Sequence, residues 1–169
     1  MTGVPRRIDV VLEPGYLDGL AERPLTTLQA LHDECTEVET EVSYVRRLAQ
    51  ARLEILRAEQ DRRARGGSVA ELVAALPRIL ADAGPRPAPS VSRVVTRFAP
   101  DPAIEWSRGR ESLITDDTLA TLPDLTDAQL LERLDGLGAL ERETSDTRRA
   151  LHRVIDVIDV ELARRQMPA

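Results

Sequence analysis

Two sets of five residues have the side chains needed to hold a polar ligand. Glu39, Ser43, Arg46, Gln50 and Glu54 are spaced four, three, four and four residues apart, and Glu141, Ser145, Arg148, His152 and Asp156 repeat that spacing. On a helix, at about 100° per residue, each set stays within an arc of roughly 80° and climbs about 22 Å along the axis. Each therefore forms one polar face. On such a face a carboxylate accepts from the paired donors of a guanine Watson–Crick edge, and an arginine fork matches the O6 and N7 acceptors or a phosphate. A serine hydroxyl lets the ligand approach the helix closely. A single ladder would read as surface ion pairs worth about 0.2–0.5 kcal/mol each. Two in register are harder to explain that way. Serine is a poor interior helix residue and only seven occur in the chain, yet Ser43 and Ser145 each follow an acid and precede an arginine at matching steps. Duplication of a helix without any ligand would also produce the match, so the repeat marks a candidate site and leaves its occupant open.

The ladders require long helices. Leu28, Leu31, Cys35, Val38, Val42, Val45 and Ala49 follow an unbroken 3-4 alternation, which fits a coiled-coil seam and no strand. Pro24-Leu25-Thr26 opens this helix, with Thr26 and Gln29 at capping-box spacing. It is expected to run to about Arg65, where Arg62, Arg63 and Arg65 suit the negative terminus and Gly66-Gly67 stops it. Leu125-Thr126-Asp127-Ala128-Gln129 opens a second long helix with Leu130, Leu134, Leu137, Leu140, Leu151, Ile155, Ile158 and Leu162. Gly136 and Gly138 cost it about 1 kcal/mol each relative to alanine, so fraying or a bend is expected there. Ladder residues follow seam residues by one, as Glu39 follows Val38, so each ladder lies beside the seam. Antiparallel pairing is expected to set Glu39 near Asp156 and Glu54 near Glu141, related by a pseudo-twofold axis.

The fold expected is therefore all-α: an antiparallel two-helix coiled-coil hairpin with an N-terminal arm and a long, partly helical connection. Residues 1–24 form the arm, 25–66 the first long helix, 67–124 the connection and 125–166 the second long helix. Within the connection Ser68 caps a shorter helix that Pro77 can kink, and Gly84 to Ser90 reads as an extended linker. From Val91 to Leu122 the pattern is mixed: Val94, Val95, Phe98, Ile104 and Trp106 suit contacts with the hairpin or with a partner, and part of this middle is expected to order only on binding. With 169 residues, one compact unit is expected.

Composition narrows the function classes. A net charge of −6 argues against nonspecific nucleic-acid binding and suits a basic partner protein. One cysteine excludes an internal disulfide, and with only two histidines beside it there is no metal-ligand spacing. Neither a signal-peptide h-region nor a spanning apolar run is present, so a cytoplasmic protein is expected. No Gly-rich phosphate loop or nucleophile–base arrangement suggests an enzyme. Tyr44, next to Ser43, has the ring to stack on guanine, although helical position favours packing.

At the ladders the sequence resembles the RsiG family of anti-sigma factors, whose pattern on each helix is E-x3-S-x2-R-x3-Q-x3-D. The stretch EVSYVRRLAQARLEIL and the arm RRIDVVLEPGYLDGL are also similar to the family. The resemblance implies an antiparallel coiled coil that binds two cyclic di-GMP molecules and then holds the sporulation sigma factor WhiG. By position it assigns nucleotide binding to Glu39, Ser43, Arg46 and Gln50, and to Glu141, Ser145, Arg148 and Asp156. Glu54 stands where the pattern has Asp, keeping the charge with a longer reach. His152 stands where it has Gln, which keeps hydrogen bonding and makes that contact sensitive to pH near neutrality. The alternative is a structural or scaffolding coiled coil without a nucleotide ligand, in which the ladders only solvate the hairpin.

Overall fold

The computed structural model describes residues 5–82 and 108–166, and among these the chain is all-α. Its helices are α1 (Arg7–Val11), α2 (Leu25–Arg65), α3 (Val69–Asp82) and α4 (Asp127–Gln166), with 3-10 turns at Leu20–Glu22, Glu111–Ile114 and Leu122–Asp124. The Gly84–Ser90 linker and the segment with Val94, Val95, Phe98, Ile104 and Trp106 lie outside the described residues. Two helix starts carry reciprocal caps. The Gln129 amide donates to Thr126 Oγ1 at 3.2 Å while Thr126 N–H donates to Gln129 Oε1 at 2.8 Å, and Ser68 and Glu71 do the same at 3.3 Å each. At α2 the expected Thr26–Gln29 box does not form, because the helix starts two residues earlier: the Thr27 and Leu28 amides donate to the Pro24 carbonyl at 3.0 and 3.1 Å. Thr26 is thus already inside the first turn.

In place of one compact unit the chain divides into two, one formed by residues up to Ser43 and from Ser145 onward, the other by Tyr44–Thr144. In the first, Val38 and Val42 of α2 pack with Leu151 and Ile158 of α4, and the arm adds Val11 with Ile8, Leu12, Leu17 and Leu20. His32 Nε2 lies 3.3 Å from Asp159, and Arg148 lies 2.6 Å from Glu39, so rising numbers in α2 meet falling numbers in α4. The helices are antiparallel here. The Tyr16 hydroxyl donates to Glu34 at 2.9 Å, and burial together with that acceptor pushes its pKa well above the ordinary phenol range.

In the second unit, Val45, Ala49, Leu53 and Leu56 of α2 form a core with Leu130, Leu137 and Leu140 of α4, closed by Leu72 of α3 and by Ile114 and Leu122. Here, too, low numbers of α4 meet high numbers of α2, with Arg63 2.9 Å from Asp127. The segment from Arg108 to Leu125, expected as irregular connection, is a second arm. Its features match those of the first arm at one constant offset along the chain: Arg6 N–H donates to Asp9 as Arg108 N–H donates to Glu111, and the turn Leu20–Glu22 corresponds to Leu122–Asp124. Asp116 secures this arm by accepting from Arg52 at 2.7 Å and Arg133 at 3.3 Å. Gly136 leaves α4 helical and uninterrupted rather than frayed. A Cβ there would come within 2.9 Å of Leu113, so the glycine lets the second arm lie close against the helix.

Glu59 is 1% exposed and is held by two guanidinium groups. Arg62 and Arg63 both donate to it through Nε at 2.6 Å, and these bonds, working against burial, hold its carboxyl below the ordinary range. Arg62 also donates to the Gly67 carbonyl at 2.6 Å, and Arg63 to the carbonyls of Leu125 and Leu122 at 2.7 and 3.0 Å. Removing the acid leaves two half-buried cations without their carboxylate. The Glu59→Ala variant should therefore lose about 2–3 kcal/mol, lowering the thermal midpoint followed by circular dichroism by about 5–10 °C. Because the folded pKa is depressed, this contribution is complete above the unfolded value of about 4.3 and disappears as pH falls through the lower folded value. The difference between wild type and Glu59→Ala should shrink in acid; an equal difference at neutral pH and in strong acid would contradict this account.

Candidate functional site

Each unit contains one cross-helix cluster built from ladder residues. In the first, Glu39 projects from α2 beside Val38, and Arg148 and His152 reach it from adjacent turns of α4. Arg148 Nε donates to Glu39 Oε1 at 2.6 Å, Ser43 Oγ donates to the same oxygen at 2.8 Å, and His152 Nε2 lies 3.3 Å from it. Burial of Glu39 favours its neutral form, but the bonds from Arg148, Ser43 and His152 outweigh that effect and hold the carboxyl below its ordinary range. Glu39 is therefore an ionised acceptor at neutral pH.

In the second unit the roles are exchanged between helices. Glu141 of α4 accepts on Oε1 from Arg46 Nε and from Gln50 Nε2, each at 3.2 Å and each from α2. The two clusters thus have the same internal plan: a glutamate takes Nε of the arginine on the opposite helix and the polar side chain one turn beyond it. His152 occupies the place of Gln50, so the exchange of residue type preserves the contact. The expected pairing of Glu39 with Asp156 and of Glu54 with Glu141 is replaced by pairing one to two turns nearer the ladder centre. Asp156 is exposed and has no partner among the described residues, while exposed Glu54 stands 4.0 Å from Arg57. Ser145 and Tyr44 are half-buried. The inner rungs are thus preorganised and the outer rungs stay solvated.

Chemically, the clusters combine acceptor and donor capacity at one place. Oε1 of Glu39 is saturated by three groups, whereas Oε2 has no protein partner among the described residues. The Nε of Arg148 is engaged, and its two terminal nitrogens make no hydrogen bond among those residues. An open carboxylate oxygen thus stands beside two open guanidinium donors. No reacting nucleophile is set against a base, and no group of acids, histidines or cysteine among the described residues can hold a metal ion.

Sequence reasoning missed a second repeated set. Glu161 accepts from Arg164 and Arg165 in the first unit as Glu59 accepts from Arg62 and Arg63 in the second. Arg165 then donates to the carbonyls of Arg23 and Leu20 at 2.6 and 3.1 Å, the positions in the first arm that correspond to Leu125 and Leu122 in the second. Glu161 is held at about pKa 2 by its two arginines. The signal was legible as E-x2-R-R at matching distances beyond each ladder.

Among the described residues, fold and clusters together define an all-α hairpin with one cross-helix polar cluster in each unit. Residues 14–80, which span the end of the first arm, all of α2 and most of α3, match the RsiG-like family model. That match points to an anti-sigma role, with a sigma factor as partner. Comparison with curated proteins gives no match. No described helix is long and apolar enough to cross a membrane.

The Glu39–Arg148 contact is short and its partners are 18% and 39% exposed, so solvent screens it only partly. A double-mutant cycle of Glu39→Gln and Arg148→Gln in urea should give a coupling of about 0.5–1 kcal/mol. The longer Glu141–Arg46 contact should couple less. A coupling indistinguishable from zero in both cycles would mean that the clusters do not form in solution.

Proposed function

We propose that this chain is a cytoplasmic anti-sigma factor that binds cyclic di-GMP, two molecules per chain, on its twin ladders and so sequesters a WhiG-like sigma factor, repressing sporulation transcription. The observation that carries the reading is the pairing of open groups in the Glu39–Arg148 cluster. The open oxygen of an ionised carboxylate accepts from a guanine N1–H or N2–H, and the open guanidinium nitrogens donate to O6, N7 or a phosphate oxygen. Glu141, Arg46 and Gln50 bring the same residue types together in the other unit, which suits two copies of one ligand. Ser43 and Ser145 add no bulk beside the arginines, and the outer acids Glu54 and Asp156 are exposed and available to the bases.

Two cyclic dinucleotides bring four phosphate charges to a chain of net charge −6. Arg46 and Arg148 cannot balance these alone, so basic groups of the sigma factor complete the site. The ligand then acts as an adhesive. It stabilises the assembled state by its excess affinity for anti-sigma and sigma together over either alone, and by linkage sigma raises the affinity for nucleotide by the same factor. No chemical step is required of the chain.

Calorimetric titration with cyclic di-GMP, with and without a WhiG-like sigma factor, tests this directly. Heat of binding is expected to be larger, or to appear only, when sigma is present. Arg148→Ala or Arg46→Ala removes a charge-assisted contact worth about 1.5–3 kcal/mol, so nucleotide-dependent capture of sigma should weaken about 10- to 100-fold while helicity is unchanged. Absence of binding in both titrations would leave the clusters as struts of a structural coiled coil, a reading favoured by their cross-helix ion pairs.

A further inference from the structure

The repeat that relates the two arms and the two arginine clamps also relates two surfaces, of which only one is covered among the described residues. In the second unit α3 lies over a floor that includes Ile55 and Glu59 of α2 with Leu119 and Leu122 of the second arm. Its Leu72 is buried in the core, Val69, Val73 and Leu76 border the cleft above that floor, and Ile55 and Ala58 pack against the core. At the same constant offset, Ile55 corresponds to Val157, Ala58 to Val160, Leu119 to Leu17 and Leu122 to Leu20. Leu17 and Leu20 pack against the core of the first unit. Val157 and Val160, however, are 47% and 70% exposed, and among the described residues no helix covers them.

We propose that the face of α4 around Val157 and Val160 is a docking seat for an amphipathic helix of a partner protein, one with the apolar spacing of α3 and an acidic first turn. The template for the occupant is α3 itself, whose apolar residues recur at helical spacing and whose Glu71 lies close enough to Arg62 to favour the charged guanidinium. Arg164 stands where Arg62 stands in the covered copy. Arg153, one turn before Val157, has no partner among the described residues. The edge of the seat on the side of Arg153 and Arg164 therefore offers cations to an acid on the visitor, while Asp156 and Asp159 border the other side. A second copy of this chain is a poorer occupant, because its α3 is already engaged and would have to leave its own floor. The seat adjoins Asp156, the outermost rung of the second ladder, but the peptide assay contains neither nucleotide nor sigma factor, so its failure and that of the nucleotide reading are separable.

The test uses the full chain and a fluorescein-labelled peptide of residues 68–82 as the probe, read by fluorescence anisotropy. Saturable binding to wild type is expected, weakened about tenfold or more by Val157→Asp or Val160→Asp, since each removes a buried valine contact and sets a carboxylate in its place. Leu131→Asp, at another exposed apolar position, should bind as wild type does, and circular dichroism should show unchanged helicity in all three. Absence of binding to wild type overturns the proposal. So does binding that is lost in Ile55→Asp but kept in Val160→Asp, because the peptide would then be replacing α3 on its own floor. Self-association in sedimentation that Val160→Asp abolishes would give the seat to a second copy and overturn the assignment to a different partner.

Discussion

An arginine side chain offers donors in a fixed fork, accepts nothing and keeps its charge, so wherever it is half-buried the chain must bring oxygen atoms to it. Arg63 and Arg165 sit in the last turn of α2 and α4, and each is steadied by a glutamate four residues earlier. Each then spends its terminal nitrogens on carbonyls of the turn that leads into the other long helix. The end of one helix is thereby fastened to the entrance of its antiparallel partner. A narrow seam of Leu, Val and Ala resists separation, but it resists sliding poorly, because a 3-4 alternation presents nearly the same surface again after seven residues. The clamps break that near-degeneracy. With the ends fastened, Glu39 meets Arg148 and His152, and Glu141 meets Arg46 and Gln50.

This explains which parts of the molecule were legible in the sequence. The two long helices could be read because their apolar period is helical over many turns, and the Thr126–Gln129 box marks the start of α4. The ladder residues could be read as neighbours on one face because spacing within a helix is geometric. Their partners across the hairpin could not, since periodicity alone does not choose among registers. Pairing Glu39 with Asp156 and pairing it with Arg148 and His152 differ by one to two turns, and the clamps of Arg63, which reads locally as a charge suited to a helix terminus, and of Arg165 favour the second. The second arm was hidden for another reason. Where the first arm has Pro14, Gly15 and Tyr16, the second has Asp116, Asp117 and Thr118, so the turn signature is replaced by carboxylates whose role appears only when Arg52 and Arg133 are seen to hold Asp116. Gly136 misled in the same way: its cost to the helix is local, and its compensation is Leu113 from a distant segment.

The ionisation state of Glu39 bears on what the site can distinguish. A carboxyl held below its ordinary range is a carboxylate at any physiological pH, and a carboxylate only accepts. In the proposed complex a guanine edge would present two adjacent donors, N1–H and N2–H, to its one open oxygen, Oε2. An adenine edge brings one donor beside an acceptor, and that acceptor would face the carboxylate unpaired and desolvated, a mismatch of the kind that costs far more than a missing contact. In the proposed complex Arg148 would strengthen the discrimination without touching the donors, because its Nε bond helps to keep Glu39 charged while its open terminal nitrogens would require acceptors from the same ligand. If the proposed ligand binds, the cross-helix pair that would otherwise be a strut would also make the acid selective: loosening the pair would free the arginine, but it would surrender the fixed geometry and the ionisation that a guanine base requires.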